Sequence, residues 1–157
     1  MSEVERIVDQ LTRAFEGNAW HGASIRELLA DVTAAEAGAK PVASAHGIWE
    51  LVLHIAVWED VVKRRIEGDR FAISLSSEED WPPVRARSEA DWRAAIGGLV
   101  AGHDALMRAV SSLPDSRLDE IVPGHDYTIY TMLHGAVQHD LYHGGQIGLL
   151  KRAQRPA

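Results

Sequence analysis

The sequence predicts an all-α fold, a four-helix bundle, and three observations predict it. Four long stretches repeat apolar residues every three or four positions, the period of a helix with one buried face. No two runs alternate with period two around a tight turn, so there is no candidate hairpin. A single long connection, between the second and third stretches, leaves four long helices to cover one another. The 157 residues suffice for one domain, spanning residues 1–157, with a core that needs no staples.

The first helix is expected over residues 3–17. Ser2-x-x-Glu5 has the spacing of a capping box, Val4, Ile7, Val8, Leu11 and Phe15 form the apolar face, and Gly17-Asn18 stops it. Trp20-His21-Gly22 breaks the arm, and a second box, Ser24-x-x-Glu27, restarts it with Ile25, Leu28 and Leu29. Residues 32–45, with Gly38, Pro41 and Ser44, read as a connecting loop. From Gly47 to Glu67 the residues Ile48, Leu51, Ile55, Trp58, Val62 and Ile66 keep a 3-4-3-4 alternation, and Gly68 ends it. Residues 69–87, with Ser76-Ser77, an acidic cluster and Trp81-Pro82-Pro83, are irregular, either a solvated crossover or a lid over a site. Ser88-x-x-Asp91 opens the third helix, to Leu113, with Trp92, Ile96, Leu99, His103, Leu106, Val110 and Leu113 inward and Pro114 behind it. After the turn Pro123-Gly124-His125-Asp126 the last helix is expected over residues 128–152.

Composition removes several function classes. Hydrophobic residues at 46% and charged residues at 25% are ordinary for a globular protein. A net charge of −7 argues against a nucleic-acid surface. The charged N-terminus has no signal-peptide core and no stretch approaches the ~20 apolar residues of a membrane span, so a cytoplasmic location is the expectation. Without cysteine, histidine and carboxylate are the metal-binding vocabulary.

The eight histidines are unequal. On a helix, His139 and His143 differ by only about 40° in direction and reach one point. Leu150 and Met132 fall within about 20° of His139, so that point faces an apolar interior. Two inward imidazoles are costly as bare polar groups and cheap as metal ligands. His54, on the edge of the second long helix's stripe, supplies a third. Three neutral nitrogens suit a divalent ion such as Zn²⁺, Ni²⁺, Fe²⁺ or Mn²⁺ with a position left open for chemistry.

Around these, Gln146 is placed to hydrogen-bond a bound water or substrate, and Glu50, one turn before His54, to orient an imidazole. His103 occupies a core slot, with a fourth ligand, a group behind the ligands and a hydrogen-bonded core histidine all open. His134 points about 140° away from His139, which excludes it as a ligand. His21, His46 and His125 lie at breaks or turns. The run His139-Asp140-Leu141-Tyr142-His143 is similar to the His-Glu-x-x-His of zincin proteases. Its Asp140 is one methylene too short to deliver a base easily, and reads equally as a solvated carboxylate or as one standing behind the ligands.

Several of these parts, taken in order, resemble the DinB/YfiT-like metalloenzyme superfamily. They are Trp20-His21-Gly22, then Ile48-Trp49-Glu50-Leu51-Val52-Leu53-His54, then Asp126 through Gly135, and finally His139-x-x-x-His143-x-Gly145-Gln146-Ile147. The resemblance implies an up-down-down-up bundle, a homodimer, and one histidine from the second helix with two from the fourth on a metal, here His54, His139 and His143. It further implies a metal-dependent enzyme activating a water or a low-molecular-weight thiol, such as bacillithiol or mycothiol, toward a small-molecule substrate, transferase-like or hydrolase-like. The competing expectation is a non-enzymatic metal-binding or small-molecule-sensing bundle. The 69–87 loop and the Trp20-His21 break are the expected borders of the substrate pocket.

Overall fold

The computed structural model describes residues 1–155 and is all-helical, with no strand among them beyond an isolated bridge between Ile121 and Thr128. Its helices are α1 (Glu3–Phe15), α2 (Ile25–Leu29), α3 (Ala34–Gly38), α4 (Ile48–Ile66), α5 (Glu89–Ser111) and α6 (Ile129–Gln154). A single 3₁₀ turn, Asp115–Arg117, follows α5. Ser2, Ser24, Thr33 and Ser88 each accept a hydrogen bond from the backbone three residues on, and Glu5, Glu27, Glu36 and Asp91 return the bond. These reciprocal caps satisfy amides that a helix start leaves open.

Two elements differ from expectation. The first helix stops at Phe15, because Gly17 and Asn18 take positive φ values of 155° and 60°. The stretch 32–45 is not all loop. Thr33-x-x-Glu36 caps the five-residue α3, whose Ala34 and Ala37 are buried.

The core is split. One apolar cluster gathers Phe15, Trp49, Ile55, Trp92, Leu99 and Ile147, and the other Ile7, Leu11, Val62, Leu106, Val110 and Leu133. Along α4 the first cluster ends at Ile55 and the second begins at Val62; along α5 the break falls between Leu99 and Leu106; along α6 it falls between Leu133 and Ile147. The buried polar residues in or bordering those gaps are His54, Glu59, His103, Asp140 and His143. A polar belt therefore crosses the middle of an otherwise apolar interior.

The same clusters give the helix directions. α1 and α6 run from the second cluster to the first, and α4 and α5 run from the first to the second. Since α4 and α5 lie parallel and make the most extensive contact in the fold, residues 67–88 must climb back along α4. Nineteen helical residues cover roughly 28 Å at 1.5 Å each, which requires a long connection. No helix among the described residues is long and apolar enough to cross a membrane.

Candidate metal centre

Three imidazoles meet within the belt. His139 Nε2 lies 3.1 Å from His54 Nε2 and 3.1 Å from His143 Nε2. α6 places His139 and His143 a turn apart on one face, and α4 brings His54 across from them. Tetrahedral ligands at ~2.0–2.1 Å from an ion stand ~3.3 Å apart, and adjacent octahedral ones ~2.9 Å, so the two spacings about His139 are compatible with one shared ion.

The outer nitrogens fix the tautomers. His54 Nδ1–H donates to the Asp80 carbonyl oxygen at 2.8 Å, and His143 Nδ1–H donates to Gln146 Oε1 at 2.7 Å. Both Nε2 atoms therefore turn a lone pair toward His139. An N–H on His139 serves one of its two short contacts well; a cation serves all three nitrogens. The donor set fits a divalent ion.

The irregular 69–87 connection supplies the support. Asp80 accepts from Trp58 Nε1 and from the Ser76 amide, both at 2.8 Å, and its Oδ1 lies 3.1 Å from His54 Nδ1. Ser76 is held at φ 62°, a conformation that a non-glycine residue adopts at a cost. Next along the chain, Trp81 stacks on His54 with ring centroids 3.8 Å apart, and His46 stacks on the same indole at 3.6 Å. The loop thus covers the His54 ring and holds its outer nitrogen.

Other candidate residues are placed differently. Glu50 does not orient His54; its carboxylate caps the Gly47 amide at 2.7 Å and pairs with Lys40. The reason is positional, since Glu50 is the third residue of α4 and the cap competes for it. His103 stands apart from the three imidazoles and shares a 2.7 Å hydrogen bond with Glu59. Trp20 and His21 line a separate hollow with Gln10, Arg13 and Leu141, so the break after α1 does not border the imidazoles. Asp80, Trp81 and Glu59 carry contacts that the sequence reading passed over.

Two cavities flank the centre. One, of about 310 Å³, reaches His139 and is lined also by Trp58, Glu59, Arg65, Tyr127, Met132 and Asp140. The other, of about 370 Å³, reaches His143 past Trp81, Tyr142 and Gln146. Arg65, 5% exposed, lines the first. Its Nη1 donates to the Tyr127 hydroxyl at 2.8 Å, and no carboxylate among the described residues lies within ion-pair distance. A buried cation without an anion is costly unless a ligand brings one.

Burial holds the three imidazoles neutral. His54 and His143 fall below the usual imidazole range, burial being the main cause, and burial with the two neighbouring rings pushes His139 down to about 3. The unfolded chain protonates these rings near 6.5, so below that pH it binds more protons than the native state. Their contribution to stability is complete above about 6.5 and is lost as pH falls toward the native values. Burial shifts Glu59 the other way, up to about 9, which opposes this slope. The expected result for chelator-treated protein is a steeper fall of Tm between pH 6.5 and 4 in the wild type than in His139→Ala. Thermal melts by circular dichroism check it, and parallel slopes would contradict a buried neutral His139.

The sequence model of the DinB superfamily matches residues 19–147, more than four fifths of the chain. The comparison with curated proteins returns no match, and neither does the comparison with solved structures.

Proposed function

We propose, from the premise that the chain belongs to the DinB superfamily, that it is a metal-dependent enzyme whose ion is held by His54, His139 and His143. The observation that carries this reading is His139 Nε2 standing 3.1 Å from Nε2 of both His54 and His143, with two outer nitrogens already committed as donors. A divalent ion there supplies Lewis acidity that makes a water or a thiol acidic near neutral pH. The chain's own part is to keep the imidazoles neutral by burial and to aim them through Asp80 and Gln146.

The substrate enters the 310 Å³ cavity beside His139, within the size range of small-molecule sites. Arg65 anchors a carboxylate or comparable anionic group at one end, its guanidinium positioned by Tyr127 and Phe71. Trp58, Val62 and Met132 bury the apolar remainder. A low-molecular-weight thiol is the preferred co-substrate on resemblance, with water as the alternative nucleophile. Two chains pair in this reading, supported by the exposed Tyr142 and Leu149 on one face of α6.

The test is turnover of small electrophiles, with and without an acidic group, by metal-loaded protein in the presence of glutathione, bacillithiol, mycothiol or no thiol. The expected result is metal-dependent turnover that His54→Ala abolishes. For acidic substrates, Arg65→Met raises KM about tenfold or more and leaves kcat within a few-fold, because the anchor acts on binding. Metal-loaded protein no faster than His54→Ala with every nucleophile would overturn the enzymatic reading in favour of a non-catalytic metal-binding bundle.

A further inference from the structure

The polar belt holds a second convergent group that the three-histidine centre does not use. Glu59 from α4, His103 from α5 and Asp140 from α6 each offer one ligand atom, and these atoms all lie within 4.8 Å of one another. The three residues are 3%, 1% and 3% exposed. Only one hydrogen bond holds the group internally, between Glu59 Oε1 and His103 Nδ1 at 2.7 Å. Glu59 Oε2 and His103 Nε2 are buried with no hydrogen-bond partner among the described residues. Phe15 stacks on the His103 ring at 3.7 Å and nearly parallel, so the imidazole is clamped rather than free to seek another contact.

A polar core that existed only for hydrogen bonding would spend its donors and acceptors on one another, as buried polar groups normally do. This one brings two carboxylates together in an apolar surround and leaves lone pairs unused.

The geometry points to a second divalent-cation site, held by Glu59, His103 and Asp140 and distinct from the three-histidine centre. Two carboxylates balance a 2+ charge, so the buried assembly is neutral when filled. One imidazole with two carboxylates suits Mn²⁺, Fe²⁺ or Zn²⁺ better than Ca²⁺, which prefers a larger all-oxygen shell. Glu59 and Asp140 line the cavity that also reaches His139, which gives the ion an entry path. Adjacent residues of α6 then serve different ions, since His139 and Asp140 point about 100° apart. The cavity between them becomes a chamber with a cation site on each of two walls, suited to a substrate with two oxygen-bearing groups.

The test counts ions. Protein purified without an immobilised-metal column is stripped with chelator, dialysed against Mn²⁺ or Zn²⁺, freed of excess and analysed for metal per chain. The expected result is two ions in the wild type, one in Glu59→Gln and one in His54→Ala. Glu59→Gln keeps the side-chain size, and circular dichroism checks its fold; Asp140→Asn provides an independent removal from another helix. One ion in the wild type, kept by Glu59→Gln and Asp140→Asn and lost by His54→Ala, overturns the second site and leaves the three-histidine reading intact. One ion lost by Glu59→Gln but kept by His54→Ala leaves the second site standing and overturns the first. No ion in the wild type overturns both.

Discussion

Replacing His139 by alanine is expected to weaken Zn²⁺ binding at the three-histidine centre by about 10²–10³-fold. His139 is the ring through which the other two are joined, each Nε2 lying 3.1 Å from its own. Four-ligand zinc sites bind with apparent energies of ~10–16 kcal/mol near neutral pH, or ~2.5–4 kcal/mol for each ligand, and ~1.4 kcal/mol is a factor of ten. The fold does not depend on this ring, since the apolar clusters on either side are made by other residues, among them Leu133 and Ile147 of the same helix. His139→Ala therefore keeps its helical spectrum and loses the part of the rise in Tm that an ion at this centre confers by binding only the native state. Competition titration against a chromophoric chelator measures the affinity. An affinity within threefold of the wild type would remove His139 from the ligand set.

Asp80→Ala is expected to lower the same affinity by about 10–100-fold without touching a ligand. The carboxylate ties together Trp58 Nε1 and the Ser76 amide, and it flanks His54 Nδ1. Removing it releases the loop whose backbone carbonyl orients His54 and whose Trp81 covers the ring. Asp80→Asn retains one carbonyl acceptor and should lie between the alanine variant and the wild type. Titration by the same chelator reads the effect. Wild-type affinity in Asp80→Ala would show that the loop is held without its side-chain anchor and that His54 needs no help from it.

The long helices were legible because each buries one face, which writes a 3-4 period into the chain. The all-helical class followed directly. α3 was not legible by that signal, since five residues are too short to show a period; only the box Thr33-x-x-Glu36 marked it. The support from residues 69–87 was hidden for another reason. Asp80 contacts His54 from 26 positions away, across the end of α4 and the irregular chain after it, and nothing periodic connects them. Its one visible sign is Trp81 beside two prolines, a large apolar ring in a loop that must find a surface to cover.

Glu59 was available to pattern reading and was masked by a neighbour. It stands four residues after Ile55 and three before Val62, within the apolar stripe, yet Trp58 beside it satisfies the same period. In the structure Glu59 is buried and Trp58 is half-buried. Asp140 was similarly read through its neighbours, as a poor substitute for a catalytic glutamate, when its direction takes it to Glu59 and His103. Glu50 shows the reverse error: a carboxylate one turn from His54 is spent on the start of its own helix. A charged residue inside an apolar stripe thus carries more information here than one merely close to a ligand in sequence.

The most direct measurement is an anomalous-difference map from crystals of protein purified without an immobilised-metal column and grown with Zn²⁺. The account predicts a strong peak bonded to Nε2 of His54, His139 and His143 together. A map with density at none of these nitrogens, in crystals that contain Zn²⁺, would contradict it.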